Sequence, residues 1–165
     1  MNSGVWVRPS ARVLVLDPQQ RLLLLGSRGS APTDATPVRF WYTTGGGVED
    51  GEDLRTAAVR ELAEEVGLVV DPAALEGPVW LRRHVQRWGE MVVDARETYF
   101  VLRDVVHEVD PSGRTAEELV ADQPHRWWSL EELVASPESF GPRTLAEVLP
   151  EVLSGPWAGP PRIVD

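Results

Sequence analysis

A chain of 165 residues, 42% of them hydrophobic and 25% charged, has the material for one domain built on a sizeable core. Its formal net charge of −10 opposes the counterion-releasing contacts on which duplex nucleic-acid binding depends. There is no cysteine and all 16 basic residues are arginine, which excludes thiol nucleophiles, Cys-based zinc sites, lysine Schiff bases and a phosphate-loop lysine.

Residues Arg12 to Leu16 and Arg21 to Leu25 are short apolar segments joined by Asp17-Pro18-Gln19-Gln20, the pattern of a hairpin of two buried strands. Gly26 to Pro37, rich in Gly, Ser, Pro, Thr and Asp, reads as a loop. A strand resumes from Val38 to Thr43, and Gly45, Gly46 and Gly47 are expected to break it. From Asp53 to Val66 the period changes, and Leu54, Ala58, Leu62 and Val66 form one helical stripe. Asp50, Glu52 and Asp53 suit the positive start of that helix and Gly67 its stop.

Val79 to Trp88 and Glu97 to Val106 read as antiparallel strands with a turn near Gly89 or later. Thr115 to Ala121 is expected to form a short helix, Arg126 to Ser129 a short strand, and Leu130 to Val134 another short helix. Arg143 to Leu153 is a final amphipathic helix, and a Pro- and Gly-rich tail from about residue 155 is extended. Strands and helices in mixed order, without a repeat or a linker, imply one layered α/β domain over residues 1–165. No apolar run approaches the ~20 residues of a membrane helix. The N-terminus lacks the charged start and apolar core of a secretory signal, which points to a cytoplasmic protein.

The chemistry concentrates between Gly46 and Leu68, where a glycine-rich segment feeds the helix. Helical spacing puts Glu61 one turn from Glu64 and Glu65, so three carboxylates share a face, read as the one turned away from Leu54, Ala58 and Leu62. Arg60, spaced to pair with Glu64, is the neutralising side chain in that turn. Crowded carboxylates repel unless a cation lies among them. Mg²⁺ prefers oxygen ligands, and the backbone of Gly45 or Gly46, free of a side chain, can approach closely enough to lend a carbonyl.

This segment resembles the box of the Nudix hydrolase family, G-x5-E-x7-R-E-U-x-E-E-x-G-U with U aliphatic. Gly46, Glu52, Arg60, Glu61, Leu62, Glu64, Glu65, Gly67 and Leu68 fill every fixed position. Chance would give such a match about once in 10⁹ windows. The resemblance implies an α/β/α sandwich around a mixed, largely antiparallel sheet. It also implies a Mg²⁺-dependent hydrolase, with Mn²⁺ as a substitute, that cleaves a diphosphate linkage in a nucleoside diphosphate derivative. Under it Glu64 and Glu65 are metal ligands, Glu61 is a further ligand or the base, and Gly45 or Gly46 adds a carbonyl. Arg60 and Glu52 hold loop and helix together. In the family the base can also come from outside the box, where Glu117, Glu118 and Asp122 are candidates.

For substrate contacts, Arg28 is a candidate for phosphate, and Trp41, Tyr42 and Trp88 for stacking on a base. His84, His107 and His125 have no metal-like spacing. Trp127 and Trp128 point to opposite faces of their strand, which places one of them in the core. A nucleotide-sensing module with this fold but no turnover is the alternative function, although such modules usually show a damaged box. The isoprenoid isomerases of the fold rely on cysteine, which is absent. The downstream proline, tyrosine and SQPWPFPxS cues that mark ADP-ribose, dinucleoside polyphosphate and NADH members are not found. The expected partner is a small nucleotide or diphosphate, with no duplex nucleic acid and no membrane; a homodimer is compatible with the sequence.

Overall fold

The computed structural model describes residues 4–28, 37–38, 40–115 and 124–165. Among these, eight strands form one mixed sheet: β1 (Val5–Val15), β2 (Leu22–Ser27), β3 (Phe40–Gly47), β4 (Glu76–Trp88), β5 (Met91–Leu102), β6 (His125–Trp128), β7 (Phe140–Gly141) and β8 (Arg162–Val164). Their order is β6-β2-β3-β1-β5-β4-β8, with β7 beside β3. The β1–β5, β3–β7 and β4–β8 pairs are parallel and the others antiparallel.

Helix α1 (Leu54–Val66) covers one face, where Ala57, Ala58, Leu62 and Val66 meet Val13, Leu23 and other residues of the central strands. Helices α2 (Leu130–Ala135) and α3 (Leu145–Leu153) cover the other, where Leu133, Leu145 and Leu149 pack with Leu14, Leu24 and Trp80. Side chains alternate along a strand, so neighbours such as Val13 and Leu14 feed opposite cores. This is the expected α/β/α sandwich.

The hairpin between β1 and β2 is corrected in part. Asp17 organises its turn by accepting from the backbone N–H groups of Gln19 and Arg21, but a single bridge, Leu16 to Leu22, joins the two segments. Beyond it they diverge: β1 lies between β3 and β5, and β2 between β3 and β6. Both are apolar on two faces, and a central position satisfies both faces and both edges.

The glycines do not break β3, which continues through Gly47. Gly45, at φ 129°, pairs with Arg12, and a Cβ there would lie 2.2 Å from the Ala11 carbonyl oxygen. The missing side chain lets the two strands close rather than part. β5 begins earlier than read, at Met91, and ends at Leu102 instead of Val106. Its charged start was misleading, because Asp94 is buried and takes ion pairs from Arg83 and Arg96.

Helix α1 begins as expected, with Asp53 capping the Thr56 N–H at 2.8 Å, and Gly67 ends it at φ 71°. Leu54 is only partly buried, and Ala57 completes the stripe instead. Trp128 is in the core and Trp127 half-buried, as the extended reading of that pair requires. The tail does more than extend: β8 adds parallel to β4, and Arg103 ties it down by donating to the carbonyls of Val152 and Gly155. The helix read at Thr115 to Ala121, and most of the loop before β3, lie outside the described residues.

Leu62 is fully buried between α1 and the sheet, whereas Leu54 is at the rim. Leu62→Ala is expected to cost about 2–5 kcal/mol in urea denaturation and Leu54→Ala less than half of that; equal costs would contradict this packing.

Candidate active site

Where β3 meets α1, two carboxylates face the glycines. Glu65, 4% exposed, accepts the Gly45 N–H at 2.7 Å. Glu61 lies against Gly46 so closely that a Cβ there would be 2.5 Å from its Oε1. The expectation that the carboxylates sit on a face away from the core is therefore corrected. Glu61 and Glu65 turn inward to the sheet, and Glu64 alone of the three is substantially open to solvent. Helical spacing fixed the shared side but not the strand that would lie across it.

Arg60 binds this corner together. Its Nε and Nη2 meet both oxygens of Glu52 at 2.9 and 3.0 Å, Nη2 also donates to the Gly47 carbonyl, and Nη1 reaches Glu61 at 3.1 Å and Glu64 at 3.3 Å. Its guanidinium thus stands as positive charge between two carboxylates. The hydrogen bond from Arg60 holds Glu52 below the usual carboxylate range. Burial pushes Glu61 up, against the pull of Arg60. Among the described residues no three acidic or imidazole side chains converge as a ready-made metal cage. The donor set is nevertheless one of hard oxygens, and among the described residues Gly46 is the one of the three glycines whose carbonyl no guanidinium takes, since Arg12 holds that of Gly45 and Arg60 that of Gly47.

The corner opens into a cleft of ≈890 Å³. Across it stands a network that the sequence did not announce. Glu97 on β5 takes the Tyr99 hydroxyl at 2.7 Å, Arg82 at 3.0 Å and Arg12 at 3.3 Å, with His84 at 3.6 Å. Burial alone would raise Glu97, but Arg12, the Tyr99 hydroxyl and Arg82 outweigh it and hold its carboxyl at about 2. Burial and the neighbouring Glu97 push the Tyr99 phenol up. A strict alternation along β5 was the available signal: Glu97 and Tyr99 share the face that Arg12 and Arg82 bring from the strands on either side. Arg8 also lines the cleft, and no carboxylate of the described residues lies within ion-pair distance of it.

The far wall carries Phe40, Tyr42 and Phe140, with Phe40 and Tyr42 ring centroids 5.5 Å apart. Of the proposed stacking residues, Tyr42 is therefore in the cleft. Trp41, 7% exposed, is not: it packs on Trp128 and donates its indole N–H to Glu138. Consecutive residues of a strand face opposite ways, so only one of this pair could reach the site. Trp88 ends β4 beyond the cleft lining, and half-buried Arg28 is also outside that lining. His84 lines the cleft, His107 instead meets the Val66 carbonyl at 2.7 Å, and His125 is on edge strand β6. Glu117, Glu118 and Asp122 lie outside the described residues.

Glu97 is depressed from the usual 4.5, so its contribution to stability is complete above about pH 4.5 and lost as pH falls toward 2. Glu97→Gln has no such titration. The stability gap between the two proteins in urea should narrow by roughly 3 kcal/mol between neutral pH and pH 2; a pH-independent gap would refute the network as described.

Comparison with known proteins agrees with this architecture. The NUDIX domain family model matches residues 6–151. Nudix hydrolase 25 of Arabidopsis thaliana is 31% identical over 155 residues, covering 86% of this chain and 83% of that protein. An RNA pyrophosphohydrolase of Dinoroseobacter shibae is 50% identical over 44 residues, which span 26% of this chain and only 28% of that relative. The crystal structure of a MutT protein from Methanosarcina mazei Go1 shares the fold, with a TM-score of 0.59 and 20% identity over 91% of this chain and 97% of that one. With the complete box folded as a glycine strand against α1, the chain belongs to the Nudix family of hydrolases, enzymes that cleave acid anhydrides.

Proposed function

We propose that the protein hydrolyses the diphosphate linkage of a small nucleoside diphosphate derivative with a divalent cation, Mg²⁺ or Mn²⁺, held by Glu61, Glu64, Glu65 and the Gly46 carbonyl. One observation carries this reading: Glu61 and Glu65 are pressed against Gly45 and Gly46 in a cleft that the guanidinium groups of Arg8, Arg12 and Arg82 also line. The cation, when bound, neutralises phosphate oxygens and lowers the pKa of a coordinated water. Arg60 pairs with Glu61 and Glu64 and offsets part of the repulsion between their carboxylates.

The chain's own groups do the rest. Arg8, Arg12 and Arg82 offer forked donors to phosphate oxygens along the cleft, and Glu97 holds the last two in place. Phe40, Tyr42 and Phe140 supply a stacking wall for a base. In the reaction a water oxygen bonds to one phosphorus, the P–O–P bridge breaks on the far side, and two phosphate products leave. Glu61 serves either as a further ligand or, its carboxyl raised by burial, as the base that takes the proton the water loses. Glu52 acts through Arg60, as a positioning residue. The net charge of −10 favours small substrates over duplex nucleic acid. The RNA pyrophosphohydrolase relatives bring the 5′ end of RNA into the substrate panel beside nucleoside triphosphates and ADP-sugars.

Glu65→Gln tests the metal role. Because Gln retains an oxygen for the Gly45 N–H, the thermal midpoint should move by no more than a few degrees, whereas Glu65→Ala orphans that buried donor and should lower it further. Turnover of Glu65→Gln should fall by about 10²–10⁴ across a magnesium titration. Near-normal turnover at low magnesium would remove Glu65 from the site.

A further inference from the structure

Strands β1 and β4 send three guanidinium groups into the cleft, and these are held in two different ways. Arg12 and Arg82 meet the Glu97 carboxylate at 3.3 and 3.0 Å, so part of their charge is already matched. Arg8 has no hydrogen bond and no ion pair among the described residues. It nevertheless reaches the glycine strand: the place that a Cβ on Gly47 would occupy is 3.4 Å from both its Nε and its Nη2. A long side chain without a polar partner gives up rotamer freedom to stay in such a pose, so another contact must hold it there.

Two indoles supply that contact. Trp6 and Arg8 are two residues apart on β1 and so share a face. Across β5, Trp6 pairs with Val93 and Trp88 with Met91, which brings the second indole to the same end of the sheet. The Arg8 guanidinium carbon is 5.8 Å from the Trp6 ring centroid and 5.5 Å from that of Trp88, and the two rings stand edge to face at 5.9 Å. The negative face of an indole attracts a cation and carries no formal charge to neutralise it. A carboxylate in the same place would hold the guanidinium firmly and cancel its charge. The indoles are 45% and 48% exposed and lie side by side, the kind of apolar patch that function rather than core packing retains.

We infer that Trp6 and Trp88 are positioning residues for Arg8: they hold its guanidinium against the glycine strand with its charge and its N–H donors uncommitted, so that an incoming phosphate is its first anionic partner. The identity of that anion rests on the proposed diphosphate hydrolysis; the holding of Arg8 does not. Burial, and then the nearby Arg12, pull Arg8 below the ordinary arginine value, the direction expected of a cation kept without a counter-ion. Trp88, a candidate by sequence for stacking on a base, thus acts through Arg8 and does not touch substrate. The cleft then divides its arginines by task. Arg12 and Arg82 are fixed by Glu97 and line the path of the phosphate chain, whereas Arg8 brings a full charge beside the strand that carries Gly46.

Two measurements test this. The Arg8 Nε–H resonance is followed by NMR in the ligand-free protein, and methylenediphosphonate, an uncleavable diphosphate, is titrated calorimetrically in the presence of Mg²⁺. Ring currents should displace the wild-type resonance from the position of a free arginine, and Trp88→Leu should return it toward that position. Arg8→Gln is expected to weaken binding about tenfold or more and Trp88→Leu about three- to tenfold. The double variant should bind no worse than Arg8→Gln alone, because the indole acts through the guanidinium. Trp88→Phe, which restores a ring face, should recover most of what Leu loses. Losses that add in the double variant overturn the inference, as does a Leu variant that binds as well as Phe or a wild-type resonance that is not displaced. A displaced resonance in a wild-type chain that binds no methylenediphosphonate sustains the holding of Arg8 and defeats the proposed diphosphate hydrolysis instead.

Discussion

The contact on which the rest depends is that between two glycines of β3 and two carboxylates of α1. Glu65 is buried, and a buried carboxylate without partners would be costly; the Gly45 N–H offsets that cost. Glu61 can approach only because Gly46 has no Cβ, and Gly45 can lie across from Arg12 only because its φ of 129° is open to glycine. Anchoring α1 through its polar side fixes the depth at which Ala58, Leu62 and Val66 enter the core beneath. Arg114 reinforces the same end of the helix by donating to the Glu65 carbonyl.

An all-arginine chain uses the fork geometry of guanidinium to build networks that a lysine could not. Arg60 spends its donors on two Glu52 oxygens, the Gly47 carbonyl and two further carboxylates. Arg12 does the equivalent across the cleft, joining Glu97 to the carbonyls of Thr43 and Gly45. The two arginines meet the same glycine strand from opposite sides, one from the helix and one from the neighbouring strand. Rigid multidentate contacts of this kind hold charged groups still inside a cleft, where a flexible ammonium would give up more conformational entropy per bond formed.

Legibility in the sequence followed the range of the interaction. Local signals read well: the period of α1, its Asp53 cap and Gly67 stop, and the Trp127–Trp128 alternation each depend on residues a few positions apart. The box placed Glu61, Glu64 and Glu65 on one helix side for the same reason. What escaped was set by strand neighbours far apart in sequence. The glycines read as a breaker because Ala11 and Arg12, which lie across from them, are distant in sequence, and the early start of β5 at Met91 depends on Arg83 meeting Asp94 from the neighbouring strand. Glu97 went unnoticed because its partners come from three different positions on two other strands and its own. Trp41 and Tyr42 are both candidates by sequence, and the packing of Trp41 on Trp128, more than eighty residues away, takes it out of the cleft.

A net charge of −10 and a cleft lined by arginine are compatible because charge is sorted by sheet face rather than averaged over the surface. On β4, Arg82 and Arg83 are consecutive and so point opposite ways: Arg83 goes to Asp94 on one face, and Arg82 goes to Glu97 on the other. On the cleft face, Arg12 and Arg82 share the buried carboxylate of Glu97, and Arg8 has no carboxylate of the described residues within ion-pair distance, which leaves a local excess of positive charge. The excess stands in the same cleft as the carboxylates of Glu61 and Glu65. In the proposed reaction a polyphosphate meets the guanidinium groups of the cleft, and a divalent cation reconciles it with the carboxylates. The polarity of the cleft therefore argues for a metal–phosphate pair entering together, with the arginine face setting the line along which the phosphate chain lies.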